Sequence, residues 1–339
     1  MFKRILSKYL LLWLVLVCAL AFYWEQLFGA DVFNPFFIKD KDLRGDVMSG
    51  MIAVTMLAVG SLLPYEEVKA VAKRWYTTLE GTAIQYISMP LLAYCVASAL
   101  RLEGAAFAGV MLAGCVPGAM ASNVLTLTAR GNVSYSVGLT TSATLLSPIV
   151  VPITLYIFLG RQSSLPVADI MLNLLETVVA PTVIGFVLSR KFRFWEKGSQ
   201  RFAEIVANIV IIWIISSVVA ANAGKVSQLT PRMIGAMITL NLLGYCAGSF
   251  GGKAIGLDSG MRRALTIEVG MQNAGLGTAL AMKFFQNQPE AALFCASYTF
   301  GCMFTGIILA QLFRLSSYRR EVAESAAASA AADEKQPSV

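Results

Sequence analysis

The chain of 339 residues contains no histidine. That absence removes the side chain most used for general acid–base chemistry and for metal ligation. Charge is scarce as well: Asp, Glu, Lys and Arg make up 14% of the residues, against roughly 25% in a soluble domain. So little charge cannot cover a surface that faces water. The six cysteines, at 18, 95, 115, 246, 295 and 302, all lie in apolar stretches, and none forms a CxxC pair. They indicate neither a disulfide framework nor a zinc site, and read as small hydrophobes inside helices. The apolar stretches also lack Asp/Glu pairs on a shared helix face. No base or metal is left to activate a nucleophile, so an enzyme is not expected.

What the sequence has in abundance is apolar surface. Hydrophobic residues make up 57% of the chain, and the mean hydropathy is +0.66. Such a chain is not disordered. It reads as an all-α polytopic membrane protein. The net charge of +7 would suggest a nucleic-acid partner in a soluble protein. In a membrane protein the same excess marks the cytoplasmic side, and no nucleic acid is expected.

A spanning helix takes about 20 apolar residues. Ten such stretches can be read, at roughly 8–28, 47–64, 77–99, 105–128, 132–160, 166–189, 202–223, 232–251, 261–285 and 289–313. Ser316 to Val339, rich in Ala, Ser, Glu and Lys with no apolar face, reads as a disordered tail. Lys3, Arg4 and Lys8 followed by Ala19-Leu20-Ala21 resemble a signal peptide. The apolar run continues through Phe22, Tyr23 and Trp24, however, which favours an uncleaved first helix. With the N-terminus inside, 19 of the 27 basic residues fall on the inner side, among them Lys69, Lys73, Arg74, Arg190, Lys191, Arg193, Lys253, Arg262 and Arg263. Both termini are therefore expected in the cytoplasm.

Two stretches differ from the Leu/Val/Ile/Ala filler. The fourth contains Cys115-Val116-Pro117-Gly118-Ala119-Met120-Ala121-Ser122-Asn123, where adjacent Pro and Gly should break the helix. The ninth contains Glu268-Val269-Gly270-Met271-Gln272-Asn273-Ala274-Gly275-Leu276-Gly277, with three glycines, two amides and a carboxylate. Unpaired backbone in lipid costs several kcal/mol per group, so broken helices persist where they line a cavity or bind something. Interrupted segments at matching places in two halves point to a transporter site at a repeat interface. Five spans per half is an odd number, so the halves, 1–161 and 162–315, are expected to enter the membrane from opposite sides.

Glu268 is the sharpest single residue, because a carboxylate at mid-span costs at least about 2.5–3.5 kcal/mol. Its compensation is a bound cation, a proton or a partner on another helix. The candidate neighbours are neutral oxygen donors: Gln85, Ser122, Asn123, Ser136, Thr140, Thr141 and Gln272. Oxygen ligands with one carboxylate suit a hard cation of low charge such as sodium, and a proton on Glu268 is the rival. Glu176, in the sixth stretch, is a second acid that could meet substrate, pair with a base or lie nearer the interface. The half-helix beginning after Pro117-Gly118 offers free amides and a positive dipole end at Ala119 to Ser122, and Met271 to Asn273 offers the same. An anionic substrate can be held there without a buried Arg.

The stretches CVPGAMASNVLTLTARGNVSYSVGLTTSATLLSP (115–148) and TIEVGMQNAGLGTALA (266–281) resemble the bile acid:sodium symporter family. The resemblance implies ten helices in two inverted five-helix repeats, with discontinuous helices four and nine crossing in a core domain of spans three to five and eight to ten. Spans one, two, six and seven would form a panel domain. It also implies two sodium sites and no other cofactor. The first would be held by Ser122, Asn123, Ser136, Thr140 and Glu268. The second would be held by Gln85, Glu268 and Gln272 with the carbonyls of Val269 and Met271, Gln85 being carried over on Gln85-Tyr86-Ile87-Ser88-Met89-Pro90. The substrate cavity would be lined by Ala119, Met120, Ala121, Asn273, Tyr298 and Thr299. Met120 stands where relatives often carry a small hydroxyl residue or Gly, and Tyr298-Thr299 where some bacterial relatives carry His-Asn. The implied activity is sodium symport of an organic anion across a bacterial inner membrane, with pantoate, ketopantoate, pyruvate or a sterol acid as cargo. A proton-coupled or uncoupled carrier of the same fold is the alternative, as is an arsenite-type efflux permease using Cys115.

Overall fold

The structure is a computed structural model that describes residues 9–29, 32–66, 68–69, 75–160, 165–224, 230–286, 288 and 290–333. Its helices are α1 (Leu10–Phe28), α2 (Lys41–Leu62), α3 (Trp75–Ala99), α4 (Gly104–Cys115), α5 (Ala121–Thr128), α6 (Val133–Leu159) and α7 (Val167–Leu174). A π turn, Leu175–Val179, joins α7 to α8 (Ala180–Lys191). Then come α9 (Arg193–Ala221), α10 (Pro231–Ala254), α11 (Ser259–Gly270), α12 (Ala274–Phe284) and α13 (Glu290–Asp333). Among the described residues eight stretches are long and apolar enough to cross a bilayer: α1, α2, α3, α6, α7 through α8, α9, α10 and α13. The fourth and ninth stretches are each two short helices with a gap between them.

Local chemistry sets the ends. Asp40 accepts the Leu43 amide at 2.9 Å, so α2 starts at Lys41, ahead of the apolar edge near 47. Asn132 caps α6 through the Tyr135 amide at 2.9 Å, and Asp258 caps α11 through Met261 at 2.9 Å. Pro148 inside α6 deprives the Thr144 carbonyl of its helical donor. The Ser147 hydroxyl supplies a replacement at 2.7 Å. At its far end α13 stays helical to Asp333, through most of the segment expected to be an unstructured tail from Ser316. That segment is rich in alanine, the residue with the highest helix propensity. Of the residues read from sequence, Lys3, Arg4, Lys8, Lys73 and Arg74 lie outside the described residues. So do the proposed boundary at 161–162 and residues 334–339.

The two gaps meet. Gly118 and Gln272 form an isolated antiparallel bridge, in which Ala119 N donates to Met271 O at 2.8 Å and Asn273 N donates to Pro117 O at 2.7 Å. Each break thereby satisfies backbone groups that the other has freed, which is what makes non-helical chain tolerable at this depth.

The regions on either side of this crossing are packed differently. Along α4 every residue from Ala106 to Cys115 is buried, and along α12 every residue from Ala274 to Met282. Helix α12 packs on α2, α9 and α13. Lys283 Nζ lies 3.2 Å from Asp46, and Gln286 Nε2 donates to Asp42 Oδ1 at 3.1 Å. Helix α5 packs on α6, α11 and α13, burying Ser122, Leu125 and Thr126. It leaves Val124 58% and Leu127 67% exposed.

Candidate functional site

Glu268 lies two residues before the end of α11 and is completely buried. Its Oε2 accepts the Ser122 hydroxyl at 2.5 Å, and its Oε1 accepts the Thr140 hydroxyl at 2.7 Å. Three elements, α5, α6 and α11, thus converge on one carboxylate. Gly118 makes this possible, since a Cβ at that position would collide with Glu268 Oε1. Among the described residues Glu268 takes part in no ion pair. Two hydroxyl bonds offset only part of the cost of burying a carboxylate.

Ser136 joins this cluster indirectly. Its carbonyl is 3.0 Å from Thr140 Oγ1, and its hydroxyl accepts from Thr126 Oγ1 at 3.2 Å. Asn123 is half-buried with Nδ2 set 3.8 Å from Met120 Sδ, and its Oδ1 is buried without a hydrogen-bond partner. Thr141 is half-buried beside Thr140.

A second cluster stands against the same break. Gln85 Nε2 on α3 donates to Gln272 Oε1 at 3.3 Å, and Gln272 Nε2 donates to Val269 O at 2.7 Å. Gln85 Oε1 is buried and unpartnered. The Met271 carbonyl accepts the Ala119 amide of the crossing.

Two amide oxygens, Asn123 Oδ1 and Gln85 Oε1, are therefore buried acceptors with nothing to accept. Such a group costs about 1–3 kcal/mol, and a cation beside it would remove the cost. The oxygens gathered here come from hydroxyls, amides, backbone and a single carboxylate, which is a set for a hard monovalent ion. Among the described residues no group of three or more His, Cys, Asp and Glu could hold a metal. Cys115 is wholly buried below the break and presents no open thiol.

The expected cavity residues divide. Ala119, Met120 and Ala121 are partly exposed at the start of α5. Asn273 is partly exposed too, with its Oδ1 committed to capping α12 through the Leu276 amide at 3.1 Å. Tyr298 is 1% exposed, and its hydroxyl donates to the Gly270 carbonyl at 2.7 Å. It braces the end of α11 instead of facing open space. Thr299 Oγ1 is buried and unpartnered. Glu176 is exposed on the π turn.

Thr126 and Asn241 escaped the reading of the sequence, and Gly118 was read there only as a helix breaker. Thr126 touches Ser136, Gly118 makes room for the acid, and Asn241, fully buried on α10, donates to Gly270 O at 2.7 Å. A lone Asn between Leu240 and Leu242 was the available signal for the last.

Residues 50–229 match the Sodium Bile acid symporter family. An uncharacterized sodium-dependent transporter of Bacillus subtilis, YocS, is 32% identical over 76% of this chain and 80% of its own length. A probable chloroplastic sodium/metabolite cotransporter of Arabidopsis thaliana, BASS1, is 29% identical over 78% of this chain and 66% of its own length. The hepatic sodium/bile acid cotransporter of Homo sapiens is 26% identical over 72% of each. All three are named as transporters or cotransporters, not as enzymes. With the family match covering more than half of its length, this multi-pass membrane chain belongs to the sodium bile acid symporter family.

Proposed function

We propose that the protein is a sodium-coupled symporter that carries an organic anion into the cell. The observation that carries this reading is Glu268, buried with two hydroxyl donors and no ion pair among the described residues, together with the unpartnered amide oxygens of Asn123 and Gln85. In this reading one sodium is held by Ser122, Asn123, Ser136, Thr140 and Glu268. A second is held by Gln85, Glu268, Gln272 and the carbonyls of Val269 and Met271. The anion sits at the half-helix starts, against Ala119 to Ala121 and Asn273, where backbone amides favour negative charge.

The wider architecture follows from the same reading. Ten spans form two inverted repeats, 1–161 and 162–315, supported by the matched gaps in the fourth and ninth stretches. A core of spans three to five and eight to ten moves against a panel of spans one, two, six and seven. Both termini lie in the cytoplasm of a bacterial inner membrane. Cargo is a small carboxylate such as pantoate or pyruvate, or a sterol acid.

The energetics suit two ions. One sodium moving down a tenfold gradient releases about 1.4 kcal/mol, and an inside-negative potential of about 100 mV adds about 2.3 kcal/mol. Two ions supply roughly 7 kcal/mol, of which carrying a monovalent anion inward takes about 2.3. About 5 kcal/mol is left, enough for accumulation on the order of a thousandfold.

The test is uptake of small carboxylates into proteoliposomes, with sodium replaced by choline at fixed pH. Loss of uptake in choline is expected. Undiminished uptake would refute sodium coupling and leave a proton-coupled or uncoupled carrier. Loss of transport in Cys115→Ala would instead favour arsenite-type chemistry.

A further inference from the structure

We infer that Asn241, Tyr298 and Thr305 form a clamp on the Gly270 carbonyl that positions the flanking carbonyls of Val269 and Met271 for the coupling ion. This inference rests on the sodium reading above. It adds three positioning residues, none of which touches the ion.

The end of a helix leaves its last carbonyls without helical donors. At the end of α11 each finds a substitute. Ile267 O and Glu268 O share the Met271 amide at 3.0 and 3.2 Å, and Val269 O takes Gln272 Nε2 at 2.7 Å. Gly270 O receives two side-chain donors from two other helices: Asn241 Nδ2 of α10 and the Tyr298 hydroxyl of α13, both at 2.7 Å. Both lone pairs of that oxygen are therefore occupied. Asn241 is itself oriented, because its Oδ1 accepts the Thr305 hydroxyl at 2.6 Å, and Tyr245 OH lies 3.1 Å from the same hydroxyl. All of this is buried or half-buried, with Asn241 at 0% and Tyr298 at 1% exposure.

Satisfying a buried carbonyl takes one donor. Here there are two, and a third residue fixes the rotamer of one of them. The reason lies in the residue being held. Gly270 cannot carry a side chain, since a Cβ there would run into the Tyr245 ring, so it is glycine for lack of room and has glycine's backbone freedom as a by-product. That freedom falls between the two carbonyls assigned to the ion. A peptide unit is planar, so fixing the Gly270 carbonyl fixes the plane that leads into Met271. The clamp thus removes rotation at Gly270, the hinge that sets the Val269 peptide plane against the next one, while Met271 O, one plane further on, is held by the Ala119 amide at 2.8 Å.

The experiment is a sodium chloride titration of the purified full chain in detergent, followed by thermal stability, with choline chloride holding ionic strength constant. Wild type is compared with Tyr298→Phe, Thr305→Val and Asn241→Ala. Tyr298→Phe and Thr305→Val should each raise the half-saturating sodium concentration by about three- to tenfold for the loss of one hydrogen bond, and Asn241→Ala, which loses two, by more. Tyr298→Phe removes a single oxygen and keeps the ring, so the test survives if Asn241→Ala fails to fold. Thr305→Ser, which keeps the hydroxyl, should restore the wild-type value. If variants melt lower in choline yet saturate at the wild-type sodium concentration, the three residues serve stability alone and the inference is wrong. If wild type itself shows no stabilisation by sodium over choline, the coupling reading fails and this one with it.

Discussion

The two interruptions at the centre of the molecule are made of different materials. Between α4 and α5 the chain is Val116-Pro117-Gly118-Ala119-Met120, and no side chain caps the helix that follows. Between α11 and α12 it is Met271-Gln272-Asn273, with Glu268 just before it and Asn273 capping the next helix. One break supplies oxygen and charge. The other contributes mainly absence: Pro117 gives up a donor, and Gly118 gives up the atoms that would otherwise occupy the space of the carboxylate. The two breaks are therefore not equivalent where they meet: one carries the acid, and the other leaves the space in which the acid sits.

This division can be attacked from both sides. Glu268→Ala should take sodium-dependent uptake to background while the purified protein elutes as wild type. Normal transport by this variant would remove the proposed ion site. Gly118→Ala alters no ligand, yet its methyl meets Glu268 Oε1. It should lose the sodium response nearly as completely, with overpacking lowering stability by about 1–3 kcal/mol. If its sodium titration matches wild type, the first break is not shaped around the acid. Removing one hydroxyl from the carboxylate, by Thr140→Val or Ser122→Ala, should be milder. A bond to a charged group is worth about 1.5–3 kcal/mol, so half-saturating sodium should rise roughly ten- to a hundredfold. Asn273→Ala should act on the second break as a helix end, lowering the melting temperature in sodium and in choline alike by the loss of a cap worth about 1 kcal/mol. Val124→Ala, on the uncovered flank of α5, should change stability by less than about 0.5 kcal/mol.

The breaks were legible because Pro117-Gly118 and the Gly-amide-carboxylate run around Glu268 violate the pattern of an apolar span. Helix starts were less so. Helix α2 begins at Lys41 and α9 at Arg193, ahead of the apolar edges near 47 and 202, because capping and polar first turns extend a helix beyond its buried part. The π turn at Leu175–Val179 has no counterpart in periodicity. Within the site, Ser122, Thr140 and Glu268 were legible as a set of oxygen donors and do meet. Tyr298 was expected at the cavity, and its hydroxyl instead closes on Gly270. Which of many hydroxyls finds a given carbonyl depends on how α10 and α13 cross α11, and that is decided by packing between helices distant in sequence.

The uneven wrapping of the two flanks also bears on how such a protein can change its sequence over generations. Around α12, where Ala279, Leu280 and Ala281 are enclosed by neighbours, an altered side-chain volume carries a packing penalty whatever its benefit. Val124, next to Asn123, and Leu127, one turn beyond it, stand bare, so new shapes can be tried there at little risk to the fold. Sequence drift at those two positions should therefore leave melting temperature nearly unchanged, whereas the enclosed positions of α12 should tolerate none without loss.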